Sequence, residues 1–225
     1  VGLGKRRRIQ SQSLTYNHEF MEYLDYYDED GNYLGYKTRD EVHREGLWHN
    51  TVHCWLYEMD GSVYFQIRSS SHKFYTTASG HVLKGETIEE AFRREINEEI
   101  GLDIDSSDAT LVDIVPWRMD KIKNGSLFKD RAKANVYVDL FEGDLDSFKF
   151  DPNEVLGVVK VKAKDALNLF KNDKGEIEAE IITTKDNKNV KISKLVSIDD
   201  FLVMEHETTY DKYKDVLNKV IEITK

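Results

Sequence analysis

Residues 80–102, GHVLKGETIEEAFRREINEEIGL, constrain this chain more than any other stretch. Thr87 and Glu90 stand in a T-x-x-E arrangement, whose side chains can satisfy each other's free N–H groups at a helix start. No Pro or Gly follows until Gly101, the residue type that tolerates the left-handed turn beyond a helix end. The pattern predicts a helix over 88–100. At about 100° per residue, Ile88, Phe92, Ile96 and Ile100 fall on one side, with Ala91 on the flank. Such a helix must lay one face on a core. Glu95, Glu98 and Glu99 are three and four residues apart and converge on one patch. Glu99 falls roughly 20° from Ile88 on the wheel, inside the apolar stripe.

Two local rules are broken here. Like charges one helical turn apart repel, and more strongly when desolvated. Carboxylates also favour a helix N-terminus, yet these occupy the last two turns, against the macrodipole. A violation without local compensation points to a site. Clustered carboxylate oxygens are what a hard cation such as Mg2+ or Mn2+ requires. Glu86, just before the cap, can reach the same region or pair with Arg94. A bare E-x-x-E-E would fit an ordinary solvated acidic face. Gly80, Glu86, Arg94 and Gly101 standing in register favour a site.

The spacing Gly80, Glu86, Arg94–Glu95, Ile96, Glu98–Glu99, Gly101–Leu102 resembles the Nudix box, G-x5-E-x7-R-E-U-x-E-E-x-G-U with U apolar, and every fixed position is met. The resemblance implies a metal-dependent pyrophosphohydrolase. It implies a Nudix-type α/β/α sandwich with a mixed sheet over residues 18–162, followed by an α+β extension over 163–225. Glu95, Glu98 and Glu99 would hold Mg2+, with Mn2+ as the substitute. Glu95 or Glu98, or a loop carboxylate such as Glu142 or Glu154, would take the proton from water. Gly80, Glu86 and Arg94 would support the site, Arg94 by orienting Glu86 or the loop. In proteins of this kind an Arg ending the preceding strand and a nearby Lys often face the diphosphate. Arg68 and Lys73 occupy those places, and a pair of surface cations is the plain alternative.

Residues 19–102, including EVHREGLWH and SGHVLKGE, are similar to the branch related to isopentenyl diphosphate isomerase. The isomerase carries a catalytic Cys before the Gly-His, where this chain has Ser79. A serine hydroxyl is a poor replacement for a thiol in proton transfer at carbon. The acidic segment that the isomerase alters is intact here. His49 and His81 fall where the isomerase has metal-binding histidines, although structural roles are expected for most of the seven histidines. The Pro-Gly usual before the first Gly of the box is replaced by Phe74–Tyr75–Thr76, which alters the local loop.

With 225 residues, 40% hydrophobic and 33% charged, the chain can bury a sizeable core. No run approaches the ~18 apolar residues of a membrane helix, and no segment has the layout of a signal peptide. Cys54, the one cysteine, sits in an apolar strand and reads as a buried structural thiol. A cytoplasmic location is the default expectation. A net charge of −10 opposes binding to long nucleic acids. It leaves room for a small-molecule diphosphate whose charge a cation offsets. Residues 1–17, basic and polar, read as a disordered tail or a cloning remnant.

Phe20–Tyr27 and Tyr33–Tyr36 flank DEDGN as a hairpin, and Thr51–Glu58 and Val63–Arg68 flank MDGS as a second. Residues 38–46 suggest a short helix ended by Gly46. Lys73–Gly80 reads as a connection. Leu111–Trp117 and Ala134–Phe141 read as strands separated by a charged loop, and Val155–Val161 as another strand. After Lys162 come a short helix in KDALNLFKN, a turn at NDKG and a β-rich run in EIEAEIITT. Tyr210, Tyr213, Val216, Leu217, Val220 and Ile221 form a helical stripe. The extension is expected to pack on the main domain, with homodimerisation as its second role.

The expected function is hydrolysis of a diphosphate linkage in a nucleoside diphosphate derivative or similar small molecule. Isomerase-like activity and a non-catalytic ligand-binding role are the alternatives. The intact acidic box opposes the last.

Overall fold

A computed structural model describes residues 21–123, 125–202 and 207–225. The predicted tail over 1–17 and the first residue of the first predicted hairpin, Phe20, lie outside the described residues. Two strands, β1 (Tyr23–Tyr27) and β2 (Tyr33–Thr38), form a separate antiparallel hairpin. The remaining strands are β3 (His49–Tyr57), β4 (Ser62–Arg68), β5 (Phe74–Tyr75), β6 (Ala78–His81), β7 (Thr110–Lys123), β8 (Ser126–Leu140), β9 (Val155–Lys162), β10 (Glu176–Lys185) and β11 (Lys188–Ser197). They make one mixed sheet in the order β11-β10-β9-β4-β3-β8-β7, with β5 beside β4 and β6 beside β3. The β3–β8 pair is parallel.

β3 shows how the sequence builds two cores. Val52, Cys54 and Leu56 point to one face and pack with Ala91, Phe92, Ile96 and Ile100 of helix α2 (Ile88–Ile100). Trp55 and Tyr57 point to the other, where Tyr213, Val216, Leu217 and Val220 of helix α4 (Glu207–Ile223) cover them. Helix α3 (Ala163–Asn172) completes that second layer through Ala166, Leu167, Leu169 and Phe170. Each fully buried large apolar side chain stabilises by about 1.5–3 kcal/mol relative to exposure. The result is the α/β/α sandwich expected. The side chain of Tyr210, part of the predicted stripe, lies outside those described. Among the described residues, no helix is long and apolar enough to cross a membrane.

Helix α2 starts and stops as its sequence dictates. Thr87 and Glu90 form the reciprocal cap, and Gly101 adopts φ 71° with its N–H on the Asn97 carbonyl. The short helix α1 (Arg39–Glu45) is capped in the same way by Thr38 and Glu41 and closed by Gly46.

Three segments differ from the sequence-based expectation. Lys73–Gly80 is no plain connection, because β5 and most of β6 lie in it. Thr77 stands between the diverging β3 and β4: its Oγ1 accepts from Leu56 N at 3.0 Å and donates to the Tyr64 carbonyl. The charged loop between β7 and β8 is instead the outer part of a long hairpin, paired through to Lys123 and Ser126. A two-stranded ribbon past the sheet has no core face, so apolar and polar residues do not alternate there, and Ile122 and Leu127 are exposed. Cross-strand pairs such as Arg131–Asp120 at 2.6 Å hold it. Pro116 is tolerated because β7 is an edge strand. Finally, β11 joins β10 through Asp186 and Asn187, both at positive φ, and lysines along this opposite edge keep it polar.

Candidate active site

The last two turns of α2 bring Glu95 and Glu99 beneath the sheet, 8% and 5% exposed, while the Glu98 side chain is 57% exposed. They border a cleft of about 290 Å3. Glu99 Oε2 accepts from the Ser79 backbone N–H at 2.9 Å and from Gln66 Nε2 at 3.1 Å. Gly80 lies against Glu95, where a Cβ would come within 2.0 Å of Oε1.

Arg94 ties the constellation together. Its guanidinium forks onto Glu86, with Nε on Oε1 at 2.8 Å and Nη2 on Oε2 at 2.9 Å. Nη2 also donates to the His81 carbonyl at 2.8 Å, and Nη1 to Glu95 at 2.7 Å and Glu98 at 3.0 Å. Glu86 in turn accepts from Leu83 N at 2.9 Å. Arg94 therefore fixes the loop that enters α2 as well as two carboxylates of the patch.

Burial dominates the electrostatics. Desolvation lifts the Glu95 carboxyl to about 7 despite Arg94, with Glu98 and Glu154 adding repulsion. Desolvation, then repulsion from Glu95, lifts Glu99 to about 8, against the Ser79 N–H. Two desolvated carboxyls beside further acidic groups form a set of hard oxygen donors suited to Mg2+ or Mn2+.

Of the two basic residues singled out in the sequence, Arg68 lines the cleft and Lys73 does not. Lys73 Nζ instead donates to the Asp199 carbonyl. Glu154 lines the cleft and Glu142 does not. Ser79 lines it too, presenting its backbone N–H to Glu99. Arg39 also faces this space, paired with Glu22 at 2.9 Å. Arg39 and Gln66 were not legible as site residues, because only the fold brings them to the cleft that the α2 carboxylates border. Cys54 is buried and apolar in its packing, and burial raises its thiol well above the usual range, as expected of a structural cysteine.

A second cluster adjoins the cleft. The ring nitrogens of His43, His49 and His81 lie within 4.8 Å of one another. His43 Nδ1 faces the Arg39 carbonyl at 2.8 Å, and His49 Nδ1 faces that of Leu47 at 3.0 Å. A ring nitrogen facing a carbonyl must carry the hydrogen, so each Nε2 keeps its lone pair. Those lone pairs are turned inward: His43 Nε2 is 3.3 Å from His81 Nε2. Asp130 Oδ1 is 3.6 Å from His49 Nε2 and 3.9 Å from His43 Nε2. Burial lowers all three histidines, His49 to about 4, so the imidazoles are neutral near pH 7. Neutral imidazoles and a carboxylate facing one another suit a divalent metal. The sequence singled out His49 and His81; α1 and the β7–β8 arm add His43 and Asp130.

The NUDIX domain family model matches residues 47–213. An uncharacterised Nudix hydrolase of Clostridium acetobutylicum is 30% identical over 210 residues, spanning 89% of this chain and 98% of its own length. An isopentenyl-diphosphate Delta-isomerase of Serratia proteamaculans is 27% identical over 122 residues, spanning 52% of this chain and 64% of its own. A crystal structure of a Deinococcus radiodurans protein superposes with a TM-score of 0.50 at 23% identity, covering 68% of this chain and 91% of that one. That last likeness is one of fold.

Proposed function

This chain belongs to the Nudix family and is a Nudix pyrophosphohydrolase, and on that premise we propose that Glu95, Glu98 and Glu99 hold Mg2+ and that the substrate is a nucleoside diphosphate derivative or similar small diphosphate. The observation that carries the site assignment is the buried Glu95–Glu99 pair, whose raised pKa values mark carboxyls lacking enough positive charge to stay ionised. Mn2+ fits the same oxygen donors. When bound, the cation supplies neutralisation of phosphate charge and polarisation of the reacting groups.

The chain's own residues do the rest. Arg68 offers a fork of donors to phosphate oxygens from the cleft wall. Arg94 and Gly80 position Glu95, the former by charge and the latter by leaving room. Glu95 or Glu98 takes the proton that the attacking water releases. Ser79 and Gln66 hold Glu99 through its Oε2.

The His43–His49–His81 cluster with Asp130 supports a second cation site, its imidazoles suiting Zn2+ and its carboxylate oxygen leaving room for Mn2+. The likeness to isomerases lends weight to this reading of the cluster. It lends less to isomerase activity, because Ser79 stands where a thiol is needed.

The test is cleavage by the purified protein of nucleoside di- and triphosphates, dinucleoside polyphosphates, nucleotide sugars and isopentenyl diphosphate, with Mg2+ and with chelator. Metal-dependent cleavage of one of them is expected. Isomerisation of isopentenyl diphosphate with no cleavage anywhere would overturn the hydrolase reading.

A further inference from the structure

A separate hollow of about 90 Å3 lies on the α4 face of the sheet. Its floor is Ala132 and Ala134 of β8, aligned with Trp117 and Val115 of β7 on one side and with His49 and Thr51 of β3 on the other. Two alanines between bulkier neighbours leave the space open. Lys212 reaches it from α4.

Lys212 is 8% exposed, and its Nζ lies 2.5 Å from His53 Nδ1. Among the described residues no carboxylate pairs with it; burial alone lowers its amine to about 7. Elsewhere in the hollow wall, Thr51 Oγ1 is buried without a hydrogen-bond partner among the described residues, while Asp130 Oδ1 is turned toward His43 and His49. A donor, Lys212, and one open acceptor, Thr51, thus border one small space walled by Val115, Trp117 and Met119. Buried polar groups left unmatched are costly and call for a partner.

The hollow also adjoins the acidic cleft. Tyr75 lines the hollow, and its ring lies 5.3 Å from the guanidinium of Arg68, which lines the cleft. A volume of ~90 Å3 is that of about three waters, so only the edge of a ring fits.

We propose that this hollow receives the end group of the diphosphate substrate, and that the group is a lactam edge, a carbonyl beside an N–H, as on uracil and guanine. Lys212 donates to the carbonyl, and Thr51 Oγ1 accepts from the N–H. The apolar walls flank that ring edge. The proposal rests on the hydrolase reading and extends it to the substrate class. It also gives the C-terminal segment a specificity-determining side chain.

The test is equilibrium binding of UDP, GDP, ADP and isopentenyl diphosphate to the full chain in Mg2+, followed by ligand NMR so that weak binding is visible. Adenine has no carbonyl, and the isopentenyl group has no polar edge. UDP or GDP is expected to bind about tenfold or more tightly than the other two. The uracil and guanine arms identify which ring is read. Lys212→Met, which keeps an apolar chain of similar length, should bring that ratio toward one with an unchanged melting temperature. Ala132→Leu, which fills the hollow from another element, should do the same. Equal affinities in the unaltered protein, no binding by any of the four, or a ratio surviving both variants would overturn the proposal. Cleavage of a diphosphate without base preference sinks this inference alone. Base preference without cleavage of any diphosphate sinks the hydrolase reading alone.

Discussion

Gly80 and Glu95 share a space that admits no further atom: a Cβ on Gly80 would lie 2.0 Å from Oε1 and 2.2 Å from Cδ of Glu95. Gly80 has no positive φ to require a glycine, so the constraint is contact alone. Gly80→Ala should push the Glu95 carboxylate out of place. A displacement of that size is expected to lower kcat/KM about 100-fold, with about 1–3 kcal/mol lost from overpacking. Steady-state kinetics beside thermal melting check this. Unchanged kinetics would show that the position of Glu95 is not critical.

The three carboxylates can be separated by isosteric substitution. Glu95→Gln, Glu98→Gln and Glu99→Gln each remove charge while nearly preserving shape. Loss of hydrolysis by about 100-fold or more is expected for each, with folding intact. The proton acceptor should differ from a residue that only holds the cation: its loss should depress kcat while leaving Mg2+ affinity nearly unchanged. Full turnover in all three variants would remove the site from α2.

Stability in chelator should depend on pH in a direction set by Glu95 and Glu99. Their carboxyls stand near 4.5 when unperturbed and are raised in the fold by burial, to about 7 and about 8. Between those limits the native state holds protons that the unfolded chain has released. Stability therefore falls as pH rises through this window. Melting temperatures should drop between about pH 5 and pH 8, and Glu99→Gln should reduce the drop. An identical slope in that variant would show that other groups control it.

Arg68 and Lys73 were alike in sequence and part company in the fold. Arg68→Ala should lower kcat/KM roughly 10- to 100-fold, the equivalent of a charged hydrogen bond. Lys73→Ala should leave it nearly unchanged, since its amine serves the Asp199 carbonyl. Comparable losses in both variants would contradict this division.

For the histidine cluster the readout is metal content. Protein equilibrated with Zn2+ or Mn2+ and then desalted should retain a tightly held ion, and His49→Ala should lose it. Second-site imidazoles fixed by backbone carbonyls favour such retention. Equal retention by the His49→Ala variant would place the ion elsewhere.

Much of the site could be read without a structure because it is written into one helix. Thr87, Glu90 and Gly101 set the ends of α2, and its 3.6-residue period sets which carboxylates share a face with Ile96 and Ile100. Those are local properties, and the chain order alone decides them. Likewise, alternation in β3 separates the residues of the two cores. What lies across the sheet is decided by pairing between distant strands. Gln66 reaches Glu99 across 33 residues, and Lys212 reaches His53 across 159. Neither partner carries a local signal, because each is an ordinary polar residue until packing removes its water. The β7–β8 arm escaped for the opposite reason: its outer half lies beyond the core, with apolar Ile122 and Leu127 exposed, so no alternating pattern of burial marks it. Sequence by itself thus determined the acidic helix and the layers it required. Tertiary structure alone decided which side chains meet in the cleft and the hollow, because desolvation and proximity exist only after the strands have paired.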